Sequence, residues 1–183
     1  MNMVVGLFNH YENAEWAIEV LEHYDVDGER ISVVALDKDA LEPRLAAGAA
    51  PAADLSSVLK ETSGFGFDLS GVGPVIAIGS VAVKLFTILG IGTPLAADAN
   101  GLIGALVDFG FSMEEAEIYA ESVKQGGILV FVETSIKDEL GIKAILHGAG
   151  AVYMNQRRQI WQSEGWISFD EEAEKSDEAS YQR

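Results

Sequence analysis

The chain has 183 residues, 29 of them acidic and 12 basic, for a net charge of −17, and it contains no cysteine. That length suits one domain with its own core, and the missing thiols exclude disulfides, thiolate catalysis and Cys-ligated zinc or iron–sulfur centres. The negative balance opposes nucleic acid and anionic lipid headgroups over most of the surface. The chain opens directly on a strand-like run with no basic n-region or cleavage site, so a cytoplasmic location is expected.

Residues 3–8 read as a short buried strand. From Asn13 to Tyr24 the apolar positions Ala17, Val20, Leu21 and Tyr24 follow helical spacing, with Glu12, Glu15, Glu19 and Glu22 on the wet side. Asp25-Val26-Asp27-Gly28 supplies turn chemistry, and Ile31 to Leu36 is the next strand. The pattern repeats late in the chain. Gly127 to Val132 reads as a strand, Ile136 to His147 as a helix, and Ala151 to Met154 as a second strand. Two β-α-β units predict an α+β fold, a ferredoxin-like sandwich with four antiparallel strands and two helices on one face.

The expected domain runs over 1–154, with 37–126 as an insertion between its halves. Within it, 46–53 reads as a linker, 54–62 as a short helix, and Ser63 to Phe67 as a loop. Ser112-Met113-Glu114-Glu115 is a capping box opening a helix closed by Gly126. Glu114, Glu117 and Glu121 line up on one face of that helix, which reads as a solvated face. Residues 155–183 form an aromatic segment and an acidic tail, and Trp161, Trp166 and Phe169 are candidates for docking.

Residues 69–107 carry seven glycines and only two charges, Lys84 and Asp98. Pro74 and Pro94 sit at helix-start positions, and Gly90-Ile91-Gly92 reads as a turn, which predicts an apolar helical hairpin over 71–109 with helices near 74–89 and 94–108. Gly73, Ala77, Ser80 and Lys84 fall on one stripe, and Ala97, Gly101, Gly104 and Asp108 on another, a glycine-zipper pattern that brings helix backbones close. In that register Lys84 reaches Asp98. The hairpin is expected to bury itself against the sheet and between copies of the chain; insertion into a bilayer is the alternative, although each helix is only about 24 Å long against about 30 Å of hydrocarbon.

The three histidines, His10, His23 and His147, have no second imidazole at ligand spacing. No serine sits in a nucleophile elbow, and Gly71-Val72-Gly73 lacks the Gly-Lys-Ser/Thr ending of a phosphate loop. No enzyme activity, cofactor or metal is therefore expected.

Several stretches taken together resemble a bacterial family, the general stress or heat-induced stress proteins related to low-temperature-induced proteins. They are Val4-Val5-Gly6-Leu7-Phe8, Ile31 to Asp37, the glycine-rich middle, Ser112 to Tyr119, and Gly126 to Val130. The resemblance spans 1–154. It implies a small α/β domain with a glycine-rich insertion and a link to stress response, and it brings no reaction and no catalytic residues. The expected function is thus a non-enzymatic, self-associating stress protein. Its interface would comprise Gly73, Ala77, Ser80, Lys84, Ala97, Asp98, Gly101 and Gly104, and its partner would be itself. A membrane-associated protein and a small-ligand-sensing module are the alternatives.

Overall fold

The computed structural model describes residues 2–36, 64–69, 72–88, 99–167 and 169. The elements in chain order are β1 (Asn2–Phe8), α1 (Tyr11–His23), a 3-10 turn (Gly28–Arg30), β2 (Ile31–Leu36), β3 (Gly64–Leu69), β4 (Gly73–Ile78), α2 (Ser80–Ile88), α3 (Ala99–Asp108), α4 (Met113–Lys124), β5 (Ile128–Thr134), α5 (Glu139–Gly148) and α6 (Met154–Ser163). The architecture is mixed α+β. Five strands form one sheet in the order β1-β5-β2-β4-β3, every neighbouring pair antiparallel. β1 and β2 therefore run parallel to each other on either side of β5, joined by α1.

Strand alternation sends successive side chains to opposite faces, and here both faces are covered. Val4, Phe8, Val33, Val130 and Val132 pack under α1 (Ala14, Ala17, Ile18, Leu21) and α5 (Ile142, Leu146). On the other face Leu7, Val34, Leu129 and Phe131 pack under α2 (Val81, Ala82, Leu85), α3 (Leu102, Ala105, Leu106) and α4 (Ala116, Tyr119, Ala120, Val123). The sheet thus has five strands instead of the four expected, and helices on two faces instead of one. The added layer comes from the apolar middle of the chain.

That middle differs from the expected hairpin. Residues 64–67, read as part of a loop, belong instead to β3, which runs to Leu69. Gly73–Ile78, read as the first turns of a helix, form β4, which pairs with β2 (Leu36↔Val75, Val33↔Ile78) and with β3 (Leu69↔Gly73, Gly64↔Ile78). Two sheet partners outweigh the weak helix preference of a Val-Ile-Ala-Ile run. The helix starts only at Ser80. The stripe through Gly73, Ala77, Ser80 and Lys84 is consequently split between a strand and a helix, and Ala77 is fully buried in its own sheet. On α3, Gly101 is half-buried and Gly104 exposed, and among the described residues of the chain no atom lies near where a Cβ would stand on Gly104. Ala97, Asp98, the 90–92 turn, the 46–53 linker and the 54–62 helix lie outside the described residues, as does the tail from Asp170. Among the described residues no helix is long and apolar enough to cross a membrane.

The expected strand 151–154 also changes. Ala151–Tyr153 carries no strand assignment, though the Val152 N–H donates to the Leu7 carbonyl at 2.7 Å along the outer edge of β1. Met154 already opens α6, which pulls the chain off the edge after one ladder bond. The capping box at Ser112 and Glu115 is present in both directions. Glu121 is not on a solvated face. It is 1% exposed, its Oε1 accepts from Gln125 Nε2 at 2.8 Å, and Lys124 Nζ stands 3.6 Å from Oε2.

Candidate functional site

A pocket of about 400 Å³ opens at one end of the sheet, between the last turn of α1 and the first turns of α5. α1 contributes Tyr24, Asp25 and Val26 beyond its C-terminus. The 3-10 turn contributes Arg30, the end of β5 Glu133 and Thr134, and the α5 segment Lys137, Asp138, Gly141, Ile142 and Ile145. The volume falls within the usual range for small-molecule sites.

Three local features mark this end of the molecule. The first is Asp25, the only non-glycine with positive φ among the described residues, at +59°. α1 ends in a Schellman motif: the Val26 N–H donates to the Leu21 carbonyl and the Asp25 N–H to the Glu22 carbonyl, both at 3.1 Å. The same pair of bonds ends α3, α4, α5 and α6, with Gly110, Gly126, Gly150 and Gly165 in the left-handed position. Of these five described ends, only the one that lines the pocket carries a side chain there, at a backbone cost glycine would avoid.

The second feature is Arg30, whose Nε is buried without a hydrogen-bond partner. A buried guanidinium N–H left unpaired costs more than its modest net gain when paired. The third is the N-terminus of α5. Asp138 occupies the N-cap with no side-chain cap bond, because its Oδ2 instead accepts from Ser135 Oγ at 2.7 Å. The first-turn N–H groups of α5 are therefore uncapped, at the positive end of its dipole.

Behind the pocket, Glu133 links to a polar chain on the opposite face. Its Oε1 accepts from Lys84 Nζ at 2.7 Å and from Ser80 Oγ at 2.9 Å, and Ser80 Oγ lies 3.3 Å from Ser32 Oγ. Ser32, on β2, also accepts from the Val81 N–H at 3.2 Å and so caps α2 from a neighbouring strand. Lys84 thus pairs with Glu133 on the α2 face of the sheet; Asp98, its expected partner, lies outside the described residues. The Lys84 hydrogen bond, opposed by partial burial and aided by Ser80, holds the Glu133 carboxyl below its ordinary value of 4.5. Ser80 Oγ thus donates to a carboxylate that Lys84 already holds in its charged form.

The pair is about half exposed at Lys84. Lys84→Met should therefore cost under about 1 kcal/mol; a buried pair broken at one end would cost about 3–5 kcal/mol. Chemical denaturation measures the difference. A depressed carboxyl stabilises the fold above its unfolded pKa and loses that contribution as pH falls through the lower folded value. The loss should run downward from pH 4.5, and Glu133→Gln should flatten that part of the stability curve.

The remaining expected positions lie apart from the pocket. Trp161 and Phe169 are buried against the α4 side, and Trp166 is half-buried with its ring 5.8 Å from that of Trp161. His147 stacks on Tyr153 at 4.1 Å, and His10 precedes α1 without capping it. Among the described residues no three His, Asp or Glu side chains are grouped to hold a metal. The one signal in the sequence for the pocket was a helix ending on Tyr24-Asp25-Val26, without the glycine that the other helix ends carry.

No family model, curated protein or solved structure matches this chain, so the stress-protein resemblance rests on the residues that carry it.

Proposed function

We propose that the chain is a non-enzymatic small-molecule-binding module on a ferredoxin-like core, with its binding site in the pocket between α1 and α5. The ferredoxin-like reading is supported by the β1-α1-β2 unit straddling β5, and by the Val152–Leu7 bond where a fourth strand would lie. The observation that carries the binding reading is Asp25: a side chain kept in a left-handed position at the pocket lip, where four equivalent helix ends use glycine. Strain of this kind persists where function needs the side chain.

Self-association through the glycine-rich segment has less to drive it than the sequence implies. Val75, Ala77, Val81, Ala82, Leu85, Leu102 and Leu106 are buried by the chain's own sheet and helices. The resemblance to stress proteins supports a role in stress physiology, with ligand binding as the event that is read.

The test is a fragment screen by saturation-transfer NMR on the parent and on Gly141→Leu. Gly141 lines the pocket on α5, and open space surrounds its would-be Cβ. Leucine there fills the site while improving helix propensity by up to about 1 kcal/mol. Fragments should bind the parent and lose at least about tenfold in affinity in the variant. A parent that binds no fragment, or binds the same set equally after the substitution, overturns the reading. As a companion expectation, Asp25→Gly should stabilise the fold by up to about 1 kcal/mol while weakening fragment binding; calorimetric melting and the same NMR experiment read both.

A further inference from the structure

We infer that the outer edge of β1 takes an extended peptide segment of a partner as an added strand, one that alternates apolar with acidic side chains. The edge already holds chain in this way at one point. The Val152 N–H donates to the Leu7 carbonyl at 2.7 Å, and α6 then carries the chain away at Met154. Backbone groups of an antiparallel strand alternate between its two sides. The outward carbonyl of Leu7 therefore puts the N–H and C=O groups of Val5 and Met3 on the same open side. Among the described residues no backbone group outside the sheet pairs with them. β1 also lacks what guards an exposed edge, since Asn2–Phe8 holds no charge and no proline.

The space beside this edge suits a bare strand. α5 packs on β1, with Leu146 close to Gly6 and Glu139 Oε2 accepting from Asn2 Nδ2 at 2.9 Å. Paired β1 strands of two copies would lie about 4.8 Å apart, while the α5 helices resting on them would need about 8–10 Å between axes. A segment without a helix of its own meets no such conflict.

The two sides of the edge decide what that segment carries, because its side chains would alternate between the faces of the sheet. On one face they meet Met3, Val5, Val152 and Met154, all half-buried and packed on the core. On the other they meet the outer stripe of α5. It runs from Glu139 above Asn2, through Lys143, to His147, which stacks on Tyr153 beside the Val152 bond. Lys143 is half exposed and pairs with Glu139; Arg158 pairs with Glu114; Arg157 donates to the neutral side chain of Asn9 at the end of β1. Three cations thus stand against two acids here, in a chain of net charge −17. That local excess selects acidic side chains over basic ones.

Chemical-shift titration with two short end-capped peptides, one alternating glutamate with valine and one alternating lysine with valine, tests the assignment. The acidic peptide should shift the Met3 and Val5 amides saturably and bind at least about fivefold more tightly than the basic one. The same peptide N-methylated on alternate amides, so that it cannot donate to the edge, should not bind. Val5→Pro removes an outward N–H and leaves the bonds from β1 to β5, so it should abolish binding; circular dichroism checks that it is folded. Lys143→Glu, at a half-exposed position, should erase the preference for the acidic peptide. If Val5→Pro does not fold, the N-methylated peptide on the parent carries the test. Equal binding of the two peptides, binding that survives N-methylation or folded Val5→Pro, or no binding at all overturns the inference. So do shifts at Met3 and Val5 that follow protein concentration without peptide, since a second copy would then cover the edge. Shifts at 24–30 report the pocket separately, so either reading can fail alone.

Discussion

Gly79→Ala should destabilise the fold by about 3 kcal/mol or more, out of proportion to the single methyl group it adds. Gly79 joins β4 to α2 with φ of +88°, where an L side chain is strained. A Cβ there would also stand 2.6 Å from the Ile31 carbonyl oxygen and 2.6 Å from Ser32 Oγ. The first of these is backbone of β2, held by its pairing with β5, so the clash cannot be relieved by turning a side chain. Moving Ser32 instead would break the cap on the Val81 N–H and disturb the Ser80–Glu133 link. The loss should appear as a lower denaturation midpoint with an unchanged m-value. Gly104→Ala, at an exposed helical glycine with open space around its Cβ, serves as the control and should be neutral or stabilising. Equal effects from the two substitutions would contradict the turn geometry.

Trp161→Ala should cost about 3–5 kcal/mol, the range for removing a buried aromatic side chain. Trp161 is 5% exposed on α6, its ring beside Trp166, with the Arg157 guanidinium 5.3 Å from its centroid. Arg157 donates to Asn9 Oδ1 and Arg158 pairs with Glu114, so the same helix is tied to the β1–α1 turn and to α4. Loss of the indole should therefore loosen a helix held at three places, and tryptic cleavage after Arg157 and Arg158 should accelerate. Cleavage there as fast in the parent as in the variant would show that α6 does not stay docked.

Much of the central sheet was legible because its strands are continuous apolar runs. Ile31 to Leu36 and Ile128 to Val132 are buried on both faces, and no helical period competes in so short a stretch. α1 and α4 announced themselves by spacing and, for α4, by the Ser112–Glu115 box, whereas α5 was legible as a helix but buries Ile142 and Leu146. β4 was not legible. Pro74 followed by Val75-Ile76-Ala77-Ile78 fits the first turn of a helix as well as a strand, and only the partners β2 and β3 decide between them. The pairing of Lys84 with Glu133 was hidden for the same reason, since it depends on where β4 ends and the helix at Ser80 begins. The pocket was nearly invisible. Asp25, Arg30 and Lys137 are unremarkable charges in a charged sequence, and their significance lies in a backbone angle, an unpaired buried Nε and an uncapped helix start that exist only after folding.

Amide chemical-shift mapping of the uniformly labelled protein during titration with a fragment library tests ligand binding at this end of the sheet most directly. Saturable shifts should cluster at 24–30 and 133–142, strongest around Arg30 and the first turn of α5, and leave α2, α3 and α4 unmoved. Shifts centred on 80–85 or 102–106, or no saturable shifts anywhere, would contradict it.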